Sequence, residues 1–330
     1  MSRKVLIIGS KGMLGQELVR VFGADENYEV IAWDKEEIDI TDETQAVGKI
    51  GPLAPQVIIN AAAYNAVDKA EKPAEFELAK KLNGLAPGYL AQAAKEIKIP
   101  PIPPFTKWGT GAVFVHFSTD YVFDGEKREG YLEKDSPSPI SNYGKSKLMG
   151  EQEVMRVSGQ YYIIRLQKLF GSPALSVGAK KSFFETILEL AQVKKELEVV
   201  DEELANFTYA PDLAERTKWL VEGGNDINSP HPSPLLRQER EKSPLTPLLQ
   251  SGESYPFGTY HITNEGAPAT WYGAAKALFT IAGMADVKLI PVAASRWPRP
   301  AQRPKYSILL NTKLPPMRPW PEALKEFLGK

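Results

Sequence analysis

No cysteine occurs in the 330 residues, which excludes disulfides, thiolate metal sites and a cysteine nucleophile. Histidine is scarce as well. His116, His231 and His261 are too far apart to show a metal-ligand spacing, and no metal site is assigned. Net charge is absent in all but name: 40 basic against 41 acidic side chains leave −1, with no basic field for a nucleic-acid backbone. No apolar run approaches the ~20 residues that span a bilayer, and Met1-Ser2-Arg3-Lys4 runs directly into an apolar strand instead of a signal peptide. The expectation is a soluble cytoplasmic protein with neither a nucleic-acid nor a membrane partner.

What is present is ordinary globular composition, 43% hydrophobic and 25% charged, in a chain long enough for two domains or one with an appended lobe. Proline is the exception. Residues 98–110 carry four prolines and 222–257 carry six, out of 27 in the whole chain. Proline fixes φ and removes an amide donor, so neither stretch reads as a helix interior or a central strand. Both read as surface insertions. A proline-rich docking ligand is the alternative; a tolerated insertion is the better reading.

Elsewhere apolar strands alternate with amphipathic stretches. VLIIG (5–9), EVIAWD (29–34), QVIIN (56–60), AVFVHFS (112–118) and YYIIRL (161–166) read as strands; 13–22 and 74–97 read as helices. Continuous apolar strands between helices predict an α/β fold, a doubly wound parallel sheet covered on both faces. The predicted organisation is a Rossmann domain over 1–170 with 207–222 returning to it. A smaller C-terminal substrate lobe takes 171–206 and 258–330, with strands near 258–263 and 288–292.

Gly9-Ser10-Lys11-Gly12-Met13-Leu14-Gly15 follows the first strand and opens a helix. Glycines let backbone approach a pyrophosphate, and the helix N-terminus supplies positive potential. Asp34 ends the second strand 19 residues after Gly15, where a carboxylate would accept adenosine ribose hydroxyls and disfavour a 2′-phosphate. A tight turn without a ligand could use the same glycines; the acidic residue at the right place favours a dinucleotide.

Tyr143 and Lys147 lie four apart and share a helix face. An ammonium near a tyrosine favours the phenolate and lowers its pKa toward the working range. Alone this pair is a common surface accident. Thr119, at the end of a predicted strand 24 residues earlier, changes that by placing a hydroxyl at the carboxyl edge of the sheet. Together the three suit carbonyl reduction: Thr119 on the developing alkoxide, Tyr143 as proton donor, Lys147 on the nicotinamide ribose.

These motifs, with INAAAYNAVDKAE (59–71), FSTDYVFDG (117–125), SNYGKSKLMGE (141–151), NFTYAPDLA (206–214), YHITNEG (260–266) and QRPKYSILLNTKL (302–314), resemble the extended short-chain dehydrogenase/reductases, and among them the dTDP-4-dehydrorhamnose reductases. The resemblance implies reduction of the C4 ketone of dTDP-4-dehydro-L-rhamnose to dTDP-L-rhamnose, for polysaccharide, with NADH or NADPH; the acidic Asp34 slightly favours NADH. It also implies Mg²⁺ in some members and a homodimer as a frequent state. By position it places Gly12, Met13 and Leu14 on the pyrophosphate, Asp34 on the ribose, and Asp39 and Ile40 by the adenine. Ala62, Ala63, Tyr64 and Asn65 would follow the cofactor; Phe117, Tyr143 and Lys147 would complete the nicotinamide end; Thr119 and Asp120 would meet the sugar. Asp39 reads equally as a helix N-cap, and Arg303 as either a diphosphate ligand or a surface arginine.

Two departures stand out. Where the family usually reads R-T-S-W-h-Y-G, with the tryptophan on the substrate, this chain has Arg165-Leu166-Gln167-Lys168-Leu169-Phe170-Gly171. An ammonium there assigns Lys168 to the sugar pocket and favours a different or more anionic ligand. The second is a shortened stretch before Asp212-Leu213-Ala214. Two rival readings follow: an epimerase or dehydratase of the same superfamily, against which Tyr121 stands where a dehydratase carries a second carboxylate, and a noncatalytic regulatory subunit resembling that of methionine adenosyltransferase, against which the Thr119, Tyr143, Lys147 set is complete.

Overall fold

The computed structural model describes residues 2–99, 111–176, 179–224 and 255–329, so the bodies of the two proline-rich stretches lie outside the described residues. Strands β1 (Arg3–Ile8), β2 (Tyr28–Trp33), β3 (Val57–Asn60), β4 (Val113–Thr119), β5 (Tyr161–Leu166) and Gly258–His261 form one parallel sheet, in which β1 lies between β2 and β3. The apolar runs explain why. Val5 to Ile8, Val57 to Ile59 and Val113 to Val115 are at most 1% exposed, as strands covered on both faces require.

Alternation sends those side chains into two layers. Val5, Ile7, Ile59, Val115 and Phe117 pack with Leu14 and Leu18 of α1 (Met13–Gly23) and Leu213 and Leu220 of α7 (Ala210–Val221). Leu6, Ile8, Ile58 and Phe114 pack with Ala46 of α2 (Glu43–Ile50), Leu90 of α4 (Ala86–Glu96) and Val154 of α5 (Asn142–Val157). The predicted long helix over 74–97 is interrupted: α3 (Pro73–Ala79) passes through a π-helical stretch, Lys80–Leu85, into α4. There the backbones close up, since a Cβ on Gly150 of α5 would stand 2.1 Å from the Asn83 carbonyl oxygen.

The smaller lobe holds β7 (Glu196–Val200) paired with β10 (Lys288–Val292), α6 (Phe183–Val193) and the helices Trp271–Ala282 and Trp320–Phe327. Phe170, Phe184, Phe207 and Trp320 form its centre. Short strands β6 (Leu169–Phe170) and β8 (Thr208–Tyr209) pair at its border with the large sheet.

Two sequence expectations need correcting. The strand near 258–263, expected in the lobe, is β9 (Gly258–His261), which pairs with β5 as the sixth strand of the large sheet. Four residues carry too little periodicity to say which sheet edge they join, and edge pairing is a tertiary choice. The ends of the second proline-rich stretch are also packed. Tyr255 is 9% exposed, packs against Trp219 with ring centroids 5.0 Å apart, and its carbonyl accepts a hydrogen bond from the Tyr162 hydroxyl at 3.0 Å. A proline-rich window hides such an anchoring aromatic at its boundary.

Because the chain leaves β1 toward β2 and returns on the other side for β3, a crevice opens at the carboxyl ends of β1 and β3. The glycine turn, the loop after β3 and the end of β4 all emerge there.

Candidate active site

At the end of β1, Gly9 takes φ +79°, and a Cβ there would stand 2.6 Å from the Ala62 amide nitrogen. A Cβ on Gly15 would meet the Gly9 carbonyl oxygen at 2.0 Å. Both glycines are therefore demanded by backbone packing. Gly12 is the N-cap of α1, and no side chain caps the helix. Its first-turn amides are left for an outside acceptor, at the positive end of the helix dipole. Met13 and Leu14 present those amides, while the Leu14 side chain belongs to the core.

Asp34 lies beside this turn. Its Oδ2 accepts the Lys11 amide at 3.1 Å and its Oδ1 accepts the Lys35 amide at 2.9 Å, while the Lys11 ammonium pairs with Glu36 at 2.9 Å. The N-cap reading of Asp39 is not upheld. Asp42 caps α2 by accepting the Gln45 amide, and Asp39 instead accepts the Thr41 amide and hydroxyl at 2.9 and 2.7 Å. Ile40 is a buried core residue.

The loop after β3 is pinned from behind. Asn60 accepts the Ala62 amide. Asn83 accepts the Tyr64 amide at 2.8 Å and donates to the Tyr64 carbonyl and to Ser146 Oγ on α5. Tyr64 directs its hydroxyl to Glu75. The Ala62–Ala63–Tyr64–Asn65 backbone thus sits opposite the glycine turn, fixed by an asparagine 19 residues away that sequence reading did not single out. Its signal, one polar residue in the middle of a helical apolar face, was present but has a common capping explanation.

Ser141 caps α5 by accepting the Gly144 amide at 3.1 Å. Gly144 lets the helix press on the turn after β4, where a Cβ would lie 2.2 Å from the Tyr121 carbonyl oxygen. That contact brings the predicted trio together. Lys147 donates to the Phe117 carbonyl at 2.6 Å, and Thr119 donates to Asp120 at 2.9 Å while accepting the Tyr121 amide at 3.2 Å. Tyr143 meets the Thr119 hydroxyl and packs edge-on against Tyr121, ring centroids 5.5 Å apart.

Here the electrostatic expectation fails in sign. Burial, and then the Asp120 carboxyl, push the Tyr143 phenol above its ordinary value, with the Thr119 hydroxyl opposing. The Lys147 ammonium is spent on a carbonyl and is itself lowered by burial to about 8. Tyr143 is accordingly a neutral O–H at physiological pH, the form a proton donor needs. Burial raises Asp120 to about 6, with Ser307, Thr119 and Lys168 holding it down.

Lys168 adopts φ +40°, uncommon for a non-glycine residue. Its ammonium donates to the Glu203 carbonyl at 2.9 Å and stands 4.0 Å from the Trp271 ring centroid and 5.1 Å from that of Phe207. Arg303 is turned onto Asp68 with two bonds of 2.6 Å, so it is no free surface arginine. It lines a cleft of about 290 Å³ with Glu203, Trp297, Arg299 and Lys305. Glu203 accepts the Trp271 indole and Arg299. Asp68 and Glu203 were not picked out from the sequence, because each is defined by a partner far along the chain. Among the described residues, no group of three His, Cys, Asp or Glu side chains is placed to hold a metal ion.

A family profile described as the RmlD substrate binding domain matches residues 3–229 and 245–330. The spore coat polysaccharide biosynthesis protein SpsK of Bacillus subtilis is 32% identical over 98% of this chain and 96% of its own length. A dTDP-4-dehydrorhamnose reductase of Burkholderia thailandensis is 32% identical over 99% of this chain and 93% of its own. The crystal structure of the dTDP-4-dehydrorhamnose reductase of Bacillus anthracis in complex with NADP superposes with a TM-score of 0.80, at 30% identity and 99% coverage of both chains.

Proposed function

The chain belongs to the RmlD substrate binding domain family, and from that premise we propose that it is a nicotinamide-dependent reductase of a nucleotide 4-keto-6-deoxysugar. The substrate is dTDP-4-dehydro-L-rhamnose and the product dTDP-L-rhamnose. The observation that carries the reading is the meeting of Thr119, Tyr143 and Lys147 at the carboxyl end of β4, beside a glycine turn whose helix has no capping side chain. The relatives named above point the same way.

A bound reduced nicotinamide supplies the hydride. The residues present fit such a cofactor: the cradle closed by Gly9 and Gly15 admits backbone amides to a pyrophosphate, and Asp34 faces the ribose side. Tyr143, kept protonated by burial, gives its proton to the oxygen at C4. Thr119 hydrogen-bonds that oxygen as charge develops. Lys147, anchored on the Phe117 carbonyl, holds the ribose end and supplies positive charge as Tyr143 becomes phenolate. Asp120 accepts a sugar hydroxyl. Arg299, Arg303 and Lys305 turn the cleft beside Trp297 toward the nucleotide diphosphate.

Asp34 does not confine the enzyme to NADH. Both its oxygens already hold backbone amides, those of Lys11 and Lys35, so part of its accepting capacity is taken before a ribose arrives. NADPH serves beside NADH. The test is cofactor oxidation with dTDP-4-dehydro-L-rhamnose and identification of dTDP-L-rhamnose as product. Absence of turnover on this and other nucleotide 4-ketosugars overturns the proposal.

A further inference from the structure

Among the described residues, the charged groups lining the cleft beside Trp297 are Arg299, Arg303 and Lys305 against Glu202 and Glu203. Asp68 evens the balance by pairing with Arg303. With the charges matched, an anion is selected here by the placing of individual donors more than by a net field.

Arg303 is the donor most firmly placed. A guanidinium carries five N–H groups in one plane, with two edges that each match a carboxylate or a phosphate. The Nη1/Nη2 edge is taken: Nη1 donates to Asp68 Oδ1 and Nη2 to Asp68 Oδ2, each at 2.6 Å. Nη1 gives its second hydrogen to the Ala301 carbonyl at 2.7 Å. The Nε/Nη2 edge is left over, and among the described residues no acceptor meets Nε. Asp68 is itself anchored. Its Oδ1 also accepts the Ala301 amide at 3.3 Å, and it leads into the short turn Lys69–Glu71 that follows the cofactor loop. From that turn Glu71 accepts the Asn142 amide at 2.9 Å, and the Ala70 carbonyl accepts the Asn142 side chain at 3.2 Å. Asn142 is the first residue of α5, and Tyr143 is next. One turn thus ties the C-terminal segment carrying Arg303 to the loop along the cofactor and to the helix carrying the proton donor.

We propose that Asp68 is a positioning residue for the substrate: by holding the Nη1/Nη2 edge of Arg303, it turns the Nε/Nη2 edge onto two oxygens of the nucleotide diphosphate. The inference rests on the nucleotide-sugar reading and adds the group that aims the arginine. The hydrogen bonds from Arg303 hold the Asp68 carboxyl below its ordinary range, against the effect of burial, so the pair stays charged at neutral pH. Without Asp68 the guanidinium keeps its charge but is free to rotate, and ordering it again weakens binding. A carboxylate that merely competed with the substrate would act in the opposite sense, since its removal would free the arginine.

The experiment measures dTDP binding by calorimetry to the wild type, Asp68→Ala, Arg303→Met and the double variant, with NADPH binding as a control for each. Asp68→Ala is expected to weaken dTDP at least ~5-fold and to leave NADPH within about twofold. In the Arg303→Met background, Asp68→Ala should cause no further loss, because Asp68 acts only through the arginine. Unchanged or tighter dTDP binding in Asp68→Ala, or losses that multiply in the double variant, overturns the proposal. The Asp68 side chain is 41% exposed, so its pair with Arg303 contributes little to folding. If Asp68→Ala nonetheless fails to fold, Asp68→Asn takes its place in the cycle and is judged by the same outcomes. A wild type that binds no dTDP refutes the nucleotide-sugar reading itself; a wild type that binds it with independent losses refutes this inference alone.

Discussion

Replacing Tyr143 by Phe removes one oxygen from a side chain that is 9% exposed and leaves its ring packed edge-on against Tyr121. The structural cost is the lost hydrogen bond with Thr119, about 1 kcal/mol net, and so a melting shift of a few degrees at most. The chemical cost is far larger. Neither of the other two members of the trio replaces it: Thr119 donates its proton to Asp120, and Lys147 donates to a carbonyl. A positioned proton donor contributes ~10²–10⁴ in rate, or roughly 3–5 kcal/mol of barrier. Turnover of the 4-ketosugar, followed by loss of reduced-nicotinamide absorbance, should fall by at least ~10², with equilibrium binding of the cofactor within about twofold of wild type. The two readings together separate lost chemistry from lost binding. Turnover within threefold of wild type in a variant of unchanged melting temperature would refute Tyr143 as the donor.

Gly15→Ala drives a methyl to 2.0 Å from the Gly9 carbonyl oxygen, so the turn must shift; dinucleotide affinity by calorimetry should fall by at least ~10-fold, and near-wild-type binding would show the cradle to be compliant. Glu151→Gln breaks a bidentate ion pair with Arg165, at 2.9 and 2.6 Å, between residues at most 4% exposed, and should cost about 3–5 kcal/mol in denaturant unfolding; a loss under 1 kcal/mol would mean the pair is replaceable. Replacing 226–254 by a short glycine linker should leave the melting temperature within a few degrees, because a Cβ on Gly224 would lie only 2.3 Å from the Tyr255 ring and the ends to be joined are already neighbours. Loss of the cooperative transition would overturn that expectation.

What was legible in the sequence is what depends on near neighbours in the chain. The first five strands fall within two residues of their apolar runs, because burial on both faces writes hydrophobicity into every position. The glycine turn was legible for a similar reason: Gly9 and Gly15 meet each other across six residues. Tyr143 and Lys147 are placed by helical spacing, and Thr119 by the strand end. The Asp39 cap, taken by Asp42 three residues on, is a local misreading; others involve distance along the chain. Four residues from Gly258 join an edge that only the folded sheet exposes, and Arg303 finds Asp68 from 235 positions away.

The direction of the Tyr143 shift is the most instructive of these. Spacing alone puts an ammonium beside a phenol and predicts a lowered pKa. The fold sends that ammonium to the Phe117 carbonyl and sets a carboxyl, Asp120, against the phenol instead. Proximity in sequence fixes which groups share a face, whereas the sign of a pKa shift depends on burial and on where each charge is discharged. The same reasoning bears on Lys168. Read as a single substitution it is a cation in a sugar pocket; in the structure its ammonium is directed at two carbonyls and an indole face, and the Glu203 carboxylate is the first opposite charge that acts on it.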